Sequence, residues 1–389
     1  MIGPRSARLL DAAALLGHDA SNDAAEAPQR LRASWEGETL SITAVRFSQL
    51  AATAGLLALT AACATITTPI APGSLGSIDD APLQTADTSC DSACLEGLMQ
   101  RYLDALAARD PSAAPVTDDV IFSENGVIQP FGEASWLTMD GRGEYWLPIT
   151  DEAAGQAAVL TVMYERGDWE LTALRIKARG GAISEAEQMI VRRSGAPSGG
   201  SAGGAQIVNA PQESPDPRLL APVQPEERVS RAELVAIGDS YFEGIDTATD
   251  SSITPFWDDC QRRENGTITA NNPDAPEGSM ANLACKQQFD TGFQVIVTDI
   301  RDRRVWVADT ERQLVFAFGF FDHSGVGSPT TTTGTFAKPF TFQIAEVWKV
   351  RDGKIQQIEA ILYSTPNYRE RTDFDRLYEN MGYAPNHGR

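Results

Sequence analysis

Histidine is nearly absent from this chain: three in 389 residues, with His18 and His387 near the ends and only His323 in the body. A histidine-rich metal site is therefore excluded, and so is a catalytic relay that needs two imidazoles. Basic residues are scarce too, 32 Lys plus Arg against 53 Asp plus Glu, for a net charge of −21. Such a chain repels phosphate backbones, so no nucleic acid is expected as a partner, and anionic bilayers give it no electrostatic pull. No apolar run is long enough to span a bilayer comfortably. No Walker loop, Rossmann fingerprint, HExxH or GxSxG occurs, so no motif calls for a nucleotide, a metal or any other cofactor. What remains, 42% apolar and 8% aromatic residues, suffices for ordinary packed cores.

Residues 47–62 (FSQLAATAGLLALTAA) form a short apolar run just after Arg46. Charge followed by a short apolar stretch is the layout of a signal peptide, with a buried helix as the alternative. Residues 1–44 are Ala- and charge-rich without a fold pattern, which reads as an over-extended start, synthesis beginning near Val45. Leu59-Thr60-Ala61-Ala62-Cys63 resembles the bacterial lipobox, whose Cys is diacylated and becomes the mature N-terminus. Thr60 departs from that pattern, and ordinary signal-peptidase cleavage near Ala62 or Ala64 is the alternative. The expected location is therefore exported, as a periplasmic or outer-membrane-tethered lipoprotein that meets the membrane only through a lipid at Cys63. Setting Cys63 aside leaves Cys90, Cys94, Cys260 and Cys285, an even set suited to an oxidising compartment. Proximity pairs Cys90 with Cys94 and Cys260 with Cys285; the other pairings stay open. A zinc site is disfavoured by the spacings and the lack of His.

The chain repeats itself. Leu95, Leu98, Tyr102 and Leu106 fall at helical spacing, and Leu234, Ile237, Tyr241 and Ile245 repeat that spacing, the second set behind a capping box of Ser230 and Glu233. Asp118-Asp119 through Glu124-Asn125-Gly126 matches Asp258-Asp259 through Glu264-Asn265-Gly266. Gly180-Gly181 matches Asp352-Gly353 as a hairpin turn, and Glu187 matches Glu359. Insertions in the second copy are expected around 271–285 and 324–336. The division that follows is 45–63 signal segment, 64–87 tether, 88–193 first domain, 194–227 Gly/Ser/Pro linker with little to bury, 228–375 second domain and 376–389 loose tail. Each copy runs from an amphipathic helix through a polar turn into long β segments. That order predicts an α+β unit, helices packed on a curved antiparallel sheet.

Cys90-x3-Cys94-Leu95-Glu96-Gly97, Phe122-Ser123-Glu124-Asn125-Gly126 and Asp322-His323 resemble a doubled domain-of-unknown-function family of fungi and bacteria. More broadly, the pattern resembles the SnoaL-like branch of the nuclear transport factor 2-like (NTF2-like) superfamily. The resemblance implies two tandem cone-shaped α+β barrels, possible partners in a pseudo-dimer, each enclosing one pocket. It also implies metal-independent acid–base chemistry, of the lyase, isomerase or hydrolase kind, or else simple retention of an apolar or aromatic small molecule. The family brings no settled catalytic residues.

The second copy holds more candidates. Leu314, Phe316, Phe318, Phe320 and Asp322 share one face of a strand, with His323 just beyond, so the stripe either lines a pocket or fills a core. His323 titrates near neutral pH and is the candidate proton shuttle, or a hydrogen-bonded residue at a strand end. Tyr241 would supply a hydroxyl and Glu264 a second carboxylate. Arg303 or Arg304, from the cluster 301–304, would anchor an anion unless the cluster is a salt-bridge network. Trp306, Phe316 and Phe318 complete the expected lining. Residues shared by both copies, such as Glu124/Glu264 and Glu187/Glu359, are expected to serve the fold. The ligand is expected in copy two. A non-catalytic binding or envelope-contact lipoprotein is the alternative function.

Overall fold

The computed structural model describes residues 90–193, 212–326, 336, 338–365 and 367–380. The signal segment, Cys63 and the tether lie outside them. Helix α1 (Ser92–Ala108) is followed by β1 (Val116–Glu124), β2 (Val127–Gln129), β3 (Met139–Asp151), β4 (Gln156–Glu165), β5 (Asp168–Arg179) and β6 (Ala182–Val191). After a short helix α2 (Pro217–Leu220), helix α3 (Arg231–Thr247) opens the second copy. It continues through β7 (Phe256–Glu264), β8 (Thr267–Ala270), the short helix α4 (Cys285–Phe289), β9 (Asp299–Asp309), β10 (Leu314–His323), β11 (Phe340–Arg351) and β12 (Lys354–Thr365), and ends in α5 (Asp373–Asn380). The strand orders are β2-β1-β6-β5-β4-β3 and β8-β7-β12-β11-β10-β9, the same topology twice. Within each sheet the pairs are antiparallel except β1 with β6 and β7 with β12. The architecture is α+β, in two matching six-stranded units.

The repeated residues explain the repeated shape. Asn125 and Gly126 take φ of 49° and 85°, and Asn265 and Gly266 take 48° and 84°, the left-handed pair a tight hairpin needs. Each Asn side chain then zips onto the last strand of its own sheet. Asn125 bonds the backbone N–H and carbonyl of Ile190, and Asn265 those of Leu362. A side chain with both polar groups satisfied by backbone, half-buried at Asn125 and fully buried at Asn265, is a structural device. Helix α1 starts at Asp91, which accepts from the Cys94 N–H, and α3 starts with the capping box of Ser230 and Glu233. Gly238 lets α3 lie close to its sheet, since a Cβ there would sit 2.9 Å from Val315. Disulfides join Cys90 to Cys94 and Cys260 to Cys285, the expected pairing, and point to an oxidising compartment. The second ties β7 to α4, an element of the copy-two insertion.

Each sheet has two buried faces with different partners. The inner face of the second sheet carries Val315, Ala317, Ile344, Trp348 and Ile358 against Tyr241 and Phe242 of α3. The outer faces pack on each other, Leu147, Leu160, Leu171 and Met189 of the first sheet meeting Phe316, Phe318, Val347 and Ile361 of the second. Two expectations about segments need correcting. Residues 212–227 are not an empty linker, because Leu219 and Val223 are buried and the Lys349 ammonium holds the Ala221 carbonyl. The expected tail does not begin at 376, because helix α5 runs through 380; residues 381–389 lie outside the described residues. Phe374 is fully buried beneath the Arg175 guanidinium, and Asp373 bonds the backbone of Gly126 and Ile128 in copy one. No helix among the described residues is long and apolar enough to cross a membrane.

Candidate active site

The polar centre of copy two sits between α3 and the inner face of its sheet. Strand β7 presents Arg262 and Glu264 two residues apart, so both point to the same side. The Arg262 guanidinium donates to the Tyr241 hydroxyl at 3.3 Å, to Gln288 of α4 at 2.8 Å and to Thr269 at 3.1 Å, and pairs with Glu264 at 3.3 Å. Glu346 stands in the same row, since β11 pairs Glu346 with Ala360 and β12 pairs Ala360 with Glu264. Its side chain is buried, with one carboxyl oxygen lacking a hydrogen bond. Burial first, then the Glu264 charge, push the Glu346 carboxyl up to about 8, against the pull of Arg262 and Tyr241. It is therefore neutral at pH 7 and able to donate a proton. Burial likewise pushes the Tyr241 hydroxyl well above its ordinary value, so it stays protonated. Trp348, one row along, presents a buried indole N–H without a hydrogen-bond partner. Arg262, Tyr241, Glu346 and the Trp348 indole thus gather on the same side of the sheet as Glu264, a set that can bind an oxygen-bearing ligand and pass it a proton.

His323 belongs elsewhere. It lies six residues beyond Ala317, which pairs with Glu346, roughly 20 Å along the strand. Its ring stacks on Phe340 at 4.4 Å and touches Phe336 and Phe342, while Nδ1 meets the Phe321 carbonyl at 3.1 Å. Burial lowers its pKa to about 4, so it is neutral and does not titrate near pH 7. The expected convergence of His323 with Tyr241 and Glu264 is not what the structure shows.

The expected lining fails for a different reason. Phe316 and Phe318 do share a face, but it is the outer one, buried between the two sheets. Arg303 is engaged by Glu243 at 2.7 Å and Asp246 at 2.6 Å, and Arg304 by Glu187 of copy one and by Thr372 at 3.2 Å. Arg301 grips Asp322 through two nitrogens. The cluster is a salt-bridge network, not an anion anchor. Trp306 lies on β9, and its side chain is outside what the structure describes.

Copy one answers the same positions with a closed network. Tyr102 donates to Gln188 at 3.3 Å, Gln188 donates to Glu124 and Ser135, and Arg192 pairs with Glu124 at 2.9 Å. Leu174 takes the place of Glu346, and Phe122 that of Arg262, as their pairings with Gln188 and Ala186 show. The charged part of copy one lies just past the end of β6 instead. Arg192 there bridges Glu124 and Glu165, and burial pushes the nearby Glu170 carboxyl up to about 7.

Sequence reasoning missed Arg262, Gln288, Glu346 and Trp348. The available signal was Glu346 itself, a lone charge on the face Phe342-Ile344-Glu346-Trp348-Val350 of an otherwise apolar strand. A charged residue in that setting is costly and needs a reason.

Among comparisons with known proteins, no curated protein matches the chain. A solved NTF2-like protein of unknown function from Cytophaga hutchinsonii is similar at 11% identity, over 25% of this chain and 88% of that one, with a TM-score of 0.21. Residues 227–362, the second copy from just before α3 through most of β12, match a sequence family described as a domain of unknown function (DUF8021).

Proposed function

We propose that the interior of copy two is a small-molecule site with acid–base chemistry, in which Glu346 rather than His323 is the proton donor. The carrying observation is the buried Glu346 carboxyl, incompletely hydrogen-bonded and pushed upward by burial, beside Tyr241, Arg262 and Glu264. Glu346 and Tyr241 would donate to a carbonyl or leaving oxygen, while Glu264, oriented by Arg262, would take a proton from the neighbouring carbon or from water. The chemistry that fits is that of a lyase, isomerase or hydrolase acting on an apolar or aromatic compound. Copy one acts in this reading as the structural half of an internal pseudo-dimer. Export and anchoring through Cys63 remain part of the proposal.

The test is a panel of aromatic ketones and carboxylic acids, scored by thermal shift of the full chain. At least one is expected to raise the melting temperature of the wild type, with the shift lost in both Tyr241→Phe and Glu346→Gln. Once a compound is turned over, Glu346→Gln should slow it by about 10²–10⁴-fold. Ligand shifts that survive in both variants, or no shift across the panel, would count against the site. The aromatic ring set around His323 favours a second reading, retention of a flat ligand without turnover, which would show as binding alone.

A further inference from the structure

The repeat places one glutamate of each copy, Glu187 on β6 and Glu359 on β12, on the buried faces where the two sheets meet. Their company differs. Glu187 is held by two guanidiniums, Arg175 of its own sheet at 3.4 Å and Arg304 of the other. In copy two the residue paired with Glu359 on the adjacent strand, where Arg175 would stand, is Val347. Facing Glu359 from copy one is Tyr145 of β3. The remaining cation is Arg263 of β7, at 3.7 Å from the carboxyl. Asp216, in the segment before α2, adds a like charge on the same side and is itself tied to Arg218. Glu359 is 3% exposed, and neither its Oε2 nor the Tyr145 hydroxyl makes a hydrogen bond of ordinary geometry.

Between them lies a cavity of about 10 Å³, lined by Tyr145, Thr161, Gln212, Gly266 and Glu359 together with apolar neighbours. That is no more than one water needs, so the cavity takes no organic ligand. A proton is the one thing this site can gain or lose. We propose that the Glu359 carboxyl is a proton-operated latch between the two sheets, packed tight while it is neutral and loosened when it ionises. The sign follows from burial. A carboxylate in this setting loses its hydration and gains only one distant guanidinium, with Asp216 opposing. Burial pushes the Glu359 carboxyl up to about 8, so the latch is tightest below the ordinary value of 4.5 and loosens progressively as pH rises through about 8. Glu187, between two arginines, gives the other half of the interface a permanently paired contact about which the two sheets can shift. The latch is independent of the site proposed inside copy two, because Glu346 and Glu359 lie on opposite faces of the sheet.

Hydrogen exchange of the full chain, compared with Glu359→Gln at each pH so that intrinsic exchange cancels, tests the latch. The glutamine imitates the neutral carboxyl and should fold. Peptides covering β3, β12 and residues 212–223 should exchange alike in the two proteins at pH 4.5, the ordinary glutamate value. By pH 9.5 they should exchange at least about tenfold faster in the wild type, a ratio expected if ionisation costs one pKa unit or more of local stability. Peptides of α3 should show no such ratio. Tyr145→Phe, which removes a hydroxyl able to donate to the ionised carboxyl, should extend the acceleration to higher pH. A wild-type to Glu359→Gln ratio that stays flat from pH 4.5 to 9.5 would overturn the proposal. So would failure of Glu359→Gln to fold at pH 4.5, since the neutral imitation is the state the latch requires.

Discussion

Replacing Arg304 by alanine is expected to lower the unfolding free energy by about 3–5 kcal/mol, the usual cost of removing one partner from a buried ion pair. Arg304 is buried, donates to Glu187 of the first sheet and to Thr372 of the C-terminal segment, and lies over the Phe318 ring at 5.4 Å. Its loss would take a guanidinium from the buried Glu187 carboxylate and open a gap at the junction of three segments distant in sequence. Urea denaturation measures the effect. An arginine serving as a substrate anchor would behave in the opposite way, with ligand affinity falling and stability nearly unchanged, so the experiment separates the two roles.

The disulfides should differ in worth. Loop-closure entropy assigns about 3–4 kcal/mol to the Cys260–Cys285 link, separated by 25 residues, and about 2 kcal/mol to Cys90–Cys94, separated by 4. The Cys260→Ser/Cys285→Ser pair should therefore lose more stability than Cys90→Ser/Cys94→Ser. It should also loosen the site, because Cys285 begins α4, whose Gln288 holds Arg262 and whose Phe289 packs on Tyr241 at 5.4 Å. Equal losses in the two double variants would mean that the longer bridge constrains little beyond its own loop.

These residues also show where sequence reading succeeds. The helix around Tyr241, the Asn-Gly turns and the near-neighbour disulfides are specified by contacts a few residues apart, or by a conformation that few residue types adopt. Alternation along LVFAFGFFD correctly groups Phe316 with Phe318. It cannot say whether that group faces the helix or the other sheet, and here both faces of the strand are buried. The partners of Arg303 and Arg304 come from α3 and from the other copy, far away in sequence, so a basic cluster and an ion-pair network look alike in one dimension. His323 stood out by rarity, yet it sits at the strand end among phenylalanines. Glu346 was visible as an oddity on an apolar strand face, but its meaning depends on Arg262 and Tyr241, which only the folded sheet brings to it. The comparison between copies proved informative in reverse. Shared residues such as Asn125/Asn265 hold turns, whereas positions that changed character, Phe122 to Arg262 and Leu174 to Glu346, mark the polar centre.

The central claim is that Glu346 is a neutral, proton-donating carboxyl at pH 7. A carboxyl whose value is raised on folding favours the native state fully below its unfolded value of 4.5, and that contribution is lost as pH climbs through about 8. Carbon-13 NMR of the chain labelled at glutamate side-chain carboxyls reads the protonation directly, with Glu346→Gln, Glu359→Gln and Glu170→Gln assigning the three signals expected to titrate late. The account predicts that the resonance missing from Glu346→Gln titrates near 8. A Glu346 resonance already ionised at pH 6, with the value of an ordinary glutamate, would contradict it.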